Sequence, residues 1–215
     1  MTTRRRVTKR RALNPLDQDA ARDARIREDA DLLTAAREGD AAAMERLLMR
    51  AQETAWRFST AVCGGADDAE DAMQEALIKT YRYVGRIRDA GAFRPWLYRT
   101  VRNACLMGRR KRAGEPARLQ PIDELLDAIG GAEQGVRHAG RDPEQIAGNT
   151  ALRRRLKAAL RTLPAPYRTI VFLREMEGLS TREVAAVMGI SEDNVKTRLH
   201  RARLALQAAL AEVKP

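Results

Sequence analysis

Two cysteines and two histidines in 215 residues exclude several kinds of chemistry. Cys63 and Cys105 are too few for a four-cysteine zinc site or a disulfide framework, and are expected to be packed or idle thiols. His138 falls in a loop-like stretch and His200 on a basic helix, so neither a metal site nor a cofactor is expected. Aromatic residues make up only 4%, which leaves Leu, Val, Met and Ala to fill two small cores. No apolar run approaches the roughly 20 residues that cross a bilayer, and the opening MTTRRRVTKRRALNP lacks the apolar core of a signal peptide. These absences point to a cytoplasmic protein with no membrane partner. No phosphate-binding glycine loop and no nucleophile paired with a base are present, so an enzyme is not expected.

Positive charge is what the chain has in excess. Its net charge of +11 favours polyanions, because each neutralised phosphate releases condensed counterions. One segment gives this charge a shape: GLSTREVAAVMGISEDNVKTRLHRAR. Ser180 followed three residues later by Glu183 has the spacing of a capping box, in which each side chain satisfies a free amide at a helix start. Val184, Ala185 and Met188 give that helix one apolar side. Gly189 suits a left-handed C-terminal cap, and Ser191 caps a second helix after a turn containing Ile190. In the second helix a step of about 100° per residue puts Val195, Leu199, Ala202 and Leu206 on one face. Lys196, Thr197, His200 and Arg201 fall opposite, a set suited to phosphates, base edges and a thymine methyl in the major groove. A solvated amphipathic helix is the competing reading. It requires two consecutive capping signals, the glycine between them and a polar face of one sign to coincide.

Local composition predicts an all-α chain of two small helical domains joined by a flexible linker. Residues 1–30 are read as a flexible basic arm, 31–112 as the first domain, 113–150 as the linker and 151–215 as the helix-turn-helix domain. No sequence repeat and no convincing period-two strand interrupts this pattern. In the first domain a short helix at 31–37 is followed by one capped by Asp40, with Trp56 core-facing or half-buried. The linker carries at most one short helix at 122–129.

Two further helices present distinct faces. In DDAEDAMQEALIKTYRYV, Met73, Ala76, Leu77, Thr80 and Val84 point one way, while Asp71, Gln74, Glu75, Ile78 and Arg82 point the other. An outward isoleucine within an acid-amide patch suggests a protein contact, although an ordinary solvated face is the simpler reading. In FRPWLYRTVRNACLMGRRKR, Pro95 is placed in the first turn, and Leu97, Val101, Ala104 and Gly108 line one side with Cys105 at its edge. Arg99, Arg102, Asn103, Leu106 and Arg110 line the other. Trp96 near the helix start is either a core residue or an exposed ring on which an unpaired base stacks. Gly108 weakens the helix by about 1 kcal/mol relative to alanine, so the basic tail is expected to fray or bend.

DAEDAMQE, then FRPWLYRTVRNACL with RRKR, then LPAPYRTIVFLREMEGLSTREVAAVMGISEDNVKTRLHRAR, resembles bacterial sigma factors of the extracytoplasmic-function group over residues 31 to about 210. The resemblance implies a non-enzymatic subunit that confers promoter recognition on core RNA polymerase. It implies that Asp71, Gln74, Glu75 and Ile78 engage the clamp helices of the beta-prime subunit, and that Trp96, Arg99, Arg102, Asn103 and Arg110 read and open the minus-ten element. Lys196, Thr197, His200 and Arg201 would read the minus-thirty-five element while their domain packs on the beta flap. An anti-sigma factor is a further partner that the resemblance allows. Asp123, Glu124 and Asp127 in the linker either imitate nucleic acid in the polymerase cleft or form a solvated acidic stretch. The chain departs from the family pattern at Met107 and Gly108, where many relatives carry an acidic residue four positions after the asparagine, and in its longer basic arm. A stand-alone helix-turn-helix regulator is the alternative, since its final domain would look much the same.

Overall fold

Asp40 starts the first long amphipathic helix as its sequence suggests, its carboxylate accepting hydrogen bonds from the amides of Ala42 and Ala43 at 2.9 and 3.0 Å. The structure, a computed structural model, describes residues 15–63, 65–112 and 150–211, and among them all regular structure is helical. The first half holds α1 (Pro15–Arg37), α2 (Ala41–Val62), α3 (Ala66–Tyr83), a short 3-10 turn and α4 (Ala90–Arg112). The second holds α5 (Thr150–Thr162), α6 (Ala165–Val171), a π-helical turn at Phe172–Met176, α7 (Thr181–Met188) and α8 (Glu192–Ala211). The expected helix at 122–129, the acidic linker residues and His138 lie outside the described residues.

Helix α1 corrects the expectation of an arm reaching residue 30, because the helix already begins at Pro15. Its sequence shows little apolar periodicity, and apart from the buried Leu32, Leu33 and Ala36 near its end it is tied down by a buried charge. Asp29 is 2% exposed and accepts from Arg50 Nε at 2.7 Å and Arg94 Nε at 2.5 Å, which fixes α1 to α2 and α4 beside the buried Leu32 and Leu33. A carboxylate removed from water persists only when paired in this way.

Helix α2 buries Leu47, Ala51, Ala55, Phe58 and Val62 along one stripe against α3 and α4. Trp56 remains 43% exposed, because two residues of helix turn it to the side opposite Phe58. Helix α4 starts earlier than expected, at Ala90, where Asp89 Oδ1 accepts from the Gly91 amide at 2.8 Å. Pro95 therefore lies inside the helix and not in its first turn.

The thiols are not idle: Cys63 and Cys105 form a disulfide, with Cα atoms 5.4 Å apart. The end of α2 meets the middle of α4, and a separation of 42 residues conceals that meeting in the sequence.

The expected pair of small cores is one continuous core. The Phe58 ring lies 5.0 Å from Tyr98 and 5.4 Å from Phe172, so α2 and α4 of the first half share an aromatic cluster with the second. Helix α2 packs on α6, and α4 packs on α7. Arg57 pairs with Glu177 at 2.6 Å across the same junction.

Candidate nucleic-acid interface

The helix-turn-helix is built by local chemistry. Ser180 Oγ accepts from the Glu183 amide at 3.2 Å, and Glu183 Oε2 accepts from the Ser180 amide at 2.6 Å, which completes both halves of the capping box of α7. Gly189 ends α7 at φ 64° and ψ 41°, a left-handed conformation in which a side chain would be strained. Ser191 Oγ then accepts from the Asn194 amide at 3.3 Å, at the start of α8.

Helix α8 sorts its side chains as its periodicity predicts. Val195, Leu199 and Ala202 are buried and Leu206 is half-buried, whereas Lys196, Thr197, His200 and Arg201 are exposed. Lys196 Nζ pairs with Asp193 Oδ1 at 3.0 Å, and this hydrogen bond raises the lysine above its usual value. The side chain is open to solvent, so the pair is easily exchanged for a phosphate.

Helix α4 presents its cations differently. Arg99 is largely buried, Arg102, Asn103 and Leu106 are half-buried, and Arg110 is exposed. Burial first, then the neighbouring Arg99, Arg110 and Arg198, lower the Arg102 guanidinium from its usual value. Arg198 belongs to α8, so this cationic cluster crosses from one half to the other. Arg168 of α6 is lowered likewise by burial, then by Arg109 of α4 and Arg161. Such crowding of like charge favours any polyanion that arrives.

Trp96 is a correction to the expected base-stacking set. It is fully buried, with its ring 6.3 Å from Phe93 and its indole N–H lacking an acceptor. The core reading of this tryptophan holds, and no base reaches the ring in this arrangement. Because α4 begins at Ala90, Trp96 sits a full turn and more inside a helix packed on its neighbours.

The outward face of α3 is the third surface. Asp71, Gln74 and Ile78 are exposed, the last at 53%, and Glu75 is half-buried and bonded to Lys79 at 2.6 Å. Gln74 Nε2 donates to Glu70 at 3.2 Å. Tyr81, at 63% exposure and three residues after Ile78, extends the apolar part of this face. Its three-residue spacing from Ile78 is the sequence signal that places it on this face.

Comparison with known proteins divides the chain into two matched segments. The Sigma-70 region 2 family model matches residues 47–115, and the Sigma-70, region 4 model matches residues 153–206. The two segments correspond to the helices around α4 and to the helix-turn-helix half. The chain belongs to the sigma-70 family, in the group of ECF RNA polymerase sigma factors, whose members confer promoter recognition on RNA polymerase. It is 32% identical over 185 residues to the ECF RNA polymerase sigma factor SigM of Mycobacterium tuberculosis, covering 86% of this chain and 85% of that protein. It is 33% identical over 177 residues to the ECF RNA polymerase sigma factor SigE of Mycolicibacterium smegmatis, covering 81% of this chain and 65% of that longer protein. Among solved structures it resembles the sigma factor RpoE of Bartonella quintana, determined with the anti-sigma factor NepR. That match has a TM-score of 0.57 and 25% identity, and covers 80% of this chain and 98% of that one. Among the described residues, no helix is long and apolar enough to cross a membrane.

Proposed function

We propose that the chain directs core RNA polymerase to promoters by dividing the work among three helices. The observation that carries this reading is α8, whose Lys196, Thr197, His200 and Arg201 face solvent while Val195, Leu199 and Ala202 anchor it. Those four side chains read the minus-thirty-five element in the major groove. Arg99, Arg102, Asn103 and Arg110 of α4 hold and open the minus-ten element, with the buried Trp96 positioning their helix. Asp71, Gln74, Glu75 and Ile78, extended by Tyr81, dock on the beta-prime clamp helices, and the final domain packs on the beta flap.

In this reading residues 31–112 and 151–215 act as two domains, and residues 113–150 let them separate. The contact between α4 and α7 belongs to the free protein and is given up on the polymerase, since Arg99 is buried while the two halves are packed together. The protein works in the cytoplasm and catalyses nothing itself. An anti-sigma factor is a further proposed partner, supported by the likeness to the RpoE and NepR complex.

The deciding experiment is purification with core polymerase, followed by transcription from a library of promoters. A stable complex that initiates at a defined pair of elements is expected. Tight binding of the free protein to duplex DNA with no association to core polymerase would overturn this reading in favour of a stand-alone regulator.

A further inference from the structure

The disulfide sits at a corner where three features meet. Cys63 is the C-cap residue of α2 and is 7% exposed, and Cys105, in the middle of α4, is 3% exposed. Arg109, one turn beyond Cys105, donates from Nη2 to the carbonyl of Val62, the residue before Cys63, at 2.9 Å. Its Nε is buried and has no acceptor. Arg109 therefore brings a guanidinium to the carbonyl next to Cys63, one helical turn from Cys105, and a cation close to a cysteine favours the thiolate, the reactive form. Beyond Cys105 the helix passes through Gly108, a weak helix former, into the basic tail. The half-buried Arg102, Asn103 and Leu106 lie within one turn of Cys105.

We propose that Cys63 and Cys105 form a reversible redox clamp on α4, closed by peroxide and opened by a thiol reductant. The Cys63 thiolate attacks one oxygen of hydrogen peroxide, breaking the O–O bond to give a sulfenic acid and hydroxide. The Cys105 thiol then attacks the Cys63 sulfur, forming the disulfide and releasing water. The proton lost in forming the thiolate neutralises the hydroxide. Two thiols and one peroxide thus become one disulfide and two waters, with two electrons passing from sulfur to oxygen. A transcription subunit works where thiols are kept reduced, so the clamp closes under oxidation and does not persist as a permanent brace. Closed, it pins the turn of α4 bearing Arg102 and Asn103 against the end of α2. The predicted effect on promoters rests on the assignment of α4 to the minus-ten element.

The full chain tests the clamp in three measurements: thiol alkylation read by mass, hydrogen exchange along α4, and transcription with core polymerase. On titration with peroxide the two thiols should vanish together and return with dithiothreitol. Exchange at residues 104–110 should slow, and the melting temperature should rise by about 10 °C, because the bond closes a long loop in the unfolded chain. Oxidised protein should give several-fold more open complex than reduced protein on duplex promoters, and little more on promoters with a pre-melted bubble. Cys63→Ala with Cys105→Ala should behave as the reduced form whatever the peroxide concentration. Thiols that oxidise separately, or exchange and melting that are equal in both redox states, would overturn the clamp. Closure and stiffening with unchanged transcription would overturn its effect on promoters. Failure to initiate in either redox state would instead count against the promoter assignment, while exchange and melting would still decide the clamp.

Discussion

Tyr98 and Glu177, 79 residues apart, are joined by a 2.7 Å hydrogen bond from the fully buried phenol to the carboxylate. Glu177 follows the π-helical turn of the second half, and Arg57 pairs with its other oxygen at 2.6 Å. One carboxylate thus takes two donors from the first half. Together with Tyr98 it lines a cleft shared with Arg25, Asp29, Arg94 and Glu183.

Tyr98→Phe removes that donor and keeps the ring against Phe58. The two halves should be held less firmly by about 1 to 2 kcal/mol, with helical content unchanged. Small-angle scattering should show a larger radius of gyration, and thermal unfolding a lower midpoint. A variant as compact and as stable as the parent would remove this bond from the forces that hold the halves together.

The same contact makes closure sensitive to alkali. Burial first, and then the Glu177 charge, push the Tyr98 phenol well above its usual value of 10.0. An acid whose folded value is raised binds its proton more tightly in the folded state. Its contribution is therefore complete below pH 10.0 and lost as pH rises through the higher folded value. Phenolate absorbance, taken as the difference between the parent and Tyr98→Phe, should appear together with the expansion seen in scattering. Ionisation of Tyr98 near pH 10.0 in a still compact protein would contradict the buried contact.

On α3, Asp71→Ala, Gln74→Ala and Glu75→Ala combined should release the protein from core polymerase and leave its helicity intact. Truncating one partner of a buried charged contact typically costs about 2 to 5 kcal/mol of binding. Tyr81→Ala alone should also weaken the complex, since its ring extends the apolar centre of that face. Unchanged affinity in the triple variant, measured by competition for core polymerase, would take this face out of the interface.

The two faces of α8 should fail in different ways. Lys196→Ala with Arg201→Ala should flatten the salt dependence of DNA binding by roughly one counterion per lost phosphate contact and weaken use of the minus-thirty-five element. Binding to core polymerase should persist. Val195→Ala with Leu199→Ala should unfold the small helical half, because each truncated core side chain costs on the order of 1 to 4 kcal/mol. Transcription from promoters with intact and scrambled minus-thirty-five elements separates the cases. If the Lys196 and Arg201 variant discriminates them as well as the parent does, α8 is not the reader.

What the sequence made legible was local. Ser180, Glu183, Gly189 and Ser191 act on amides within a few residues of themselves, so the helix-turn-helix could be placed from spacing alone. The outward faces of α3 and α8 followed from periodicity. The expected helix at 31–37 is the end of α1, and the part before it was hidden because Asp29, which anchors it, meets its arginines 21 and 65 residues away. Glu177 reads as one of the two acids in REMEGLS, and only the fold brings Arg57 and Tyr98 to it. The disulfide was hidden for the same reason, and Trp96 needed the true start of α4 before its burial could be seen.

The Phe58 and Phe172 contact also bears on how the chain tolerates being divided. Either half made on its own would carry a bare aromatic ring where the other half had covered it. Such fragments would tend to stick to themselves or to unrelated apolar surfaces, and their weak association would be mistaken for biology. Replacing the ring on each fragment with a polar side chain of similar size is the remedy, and the intact chain should be its control.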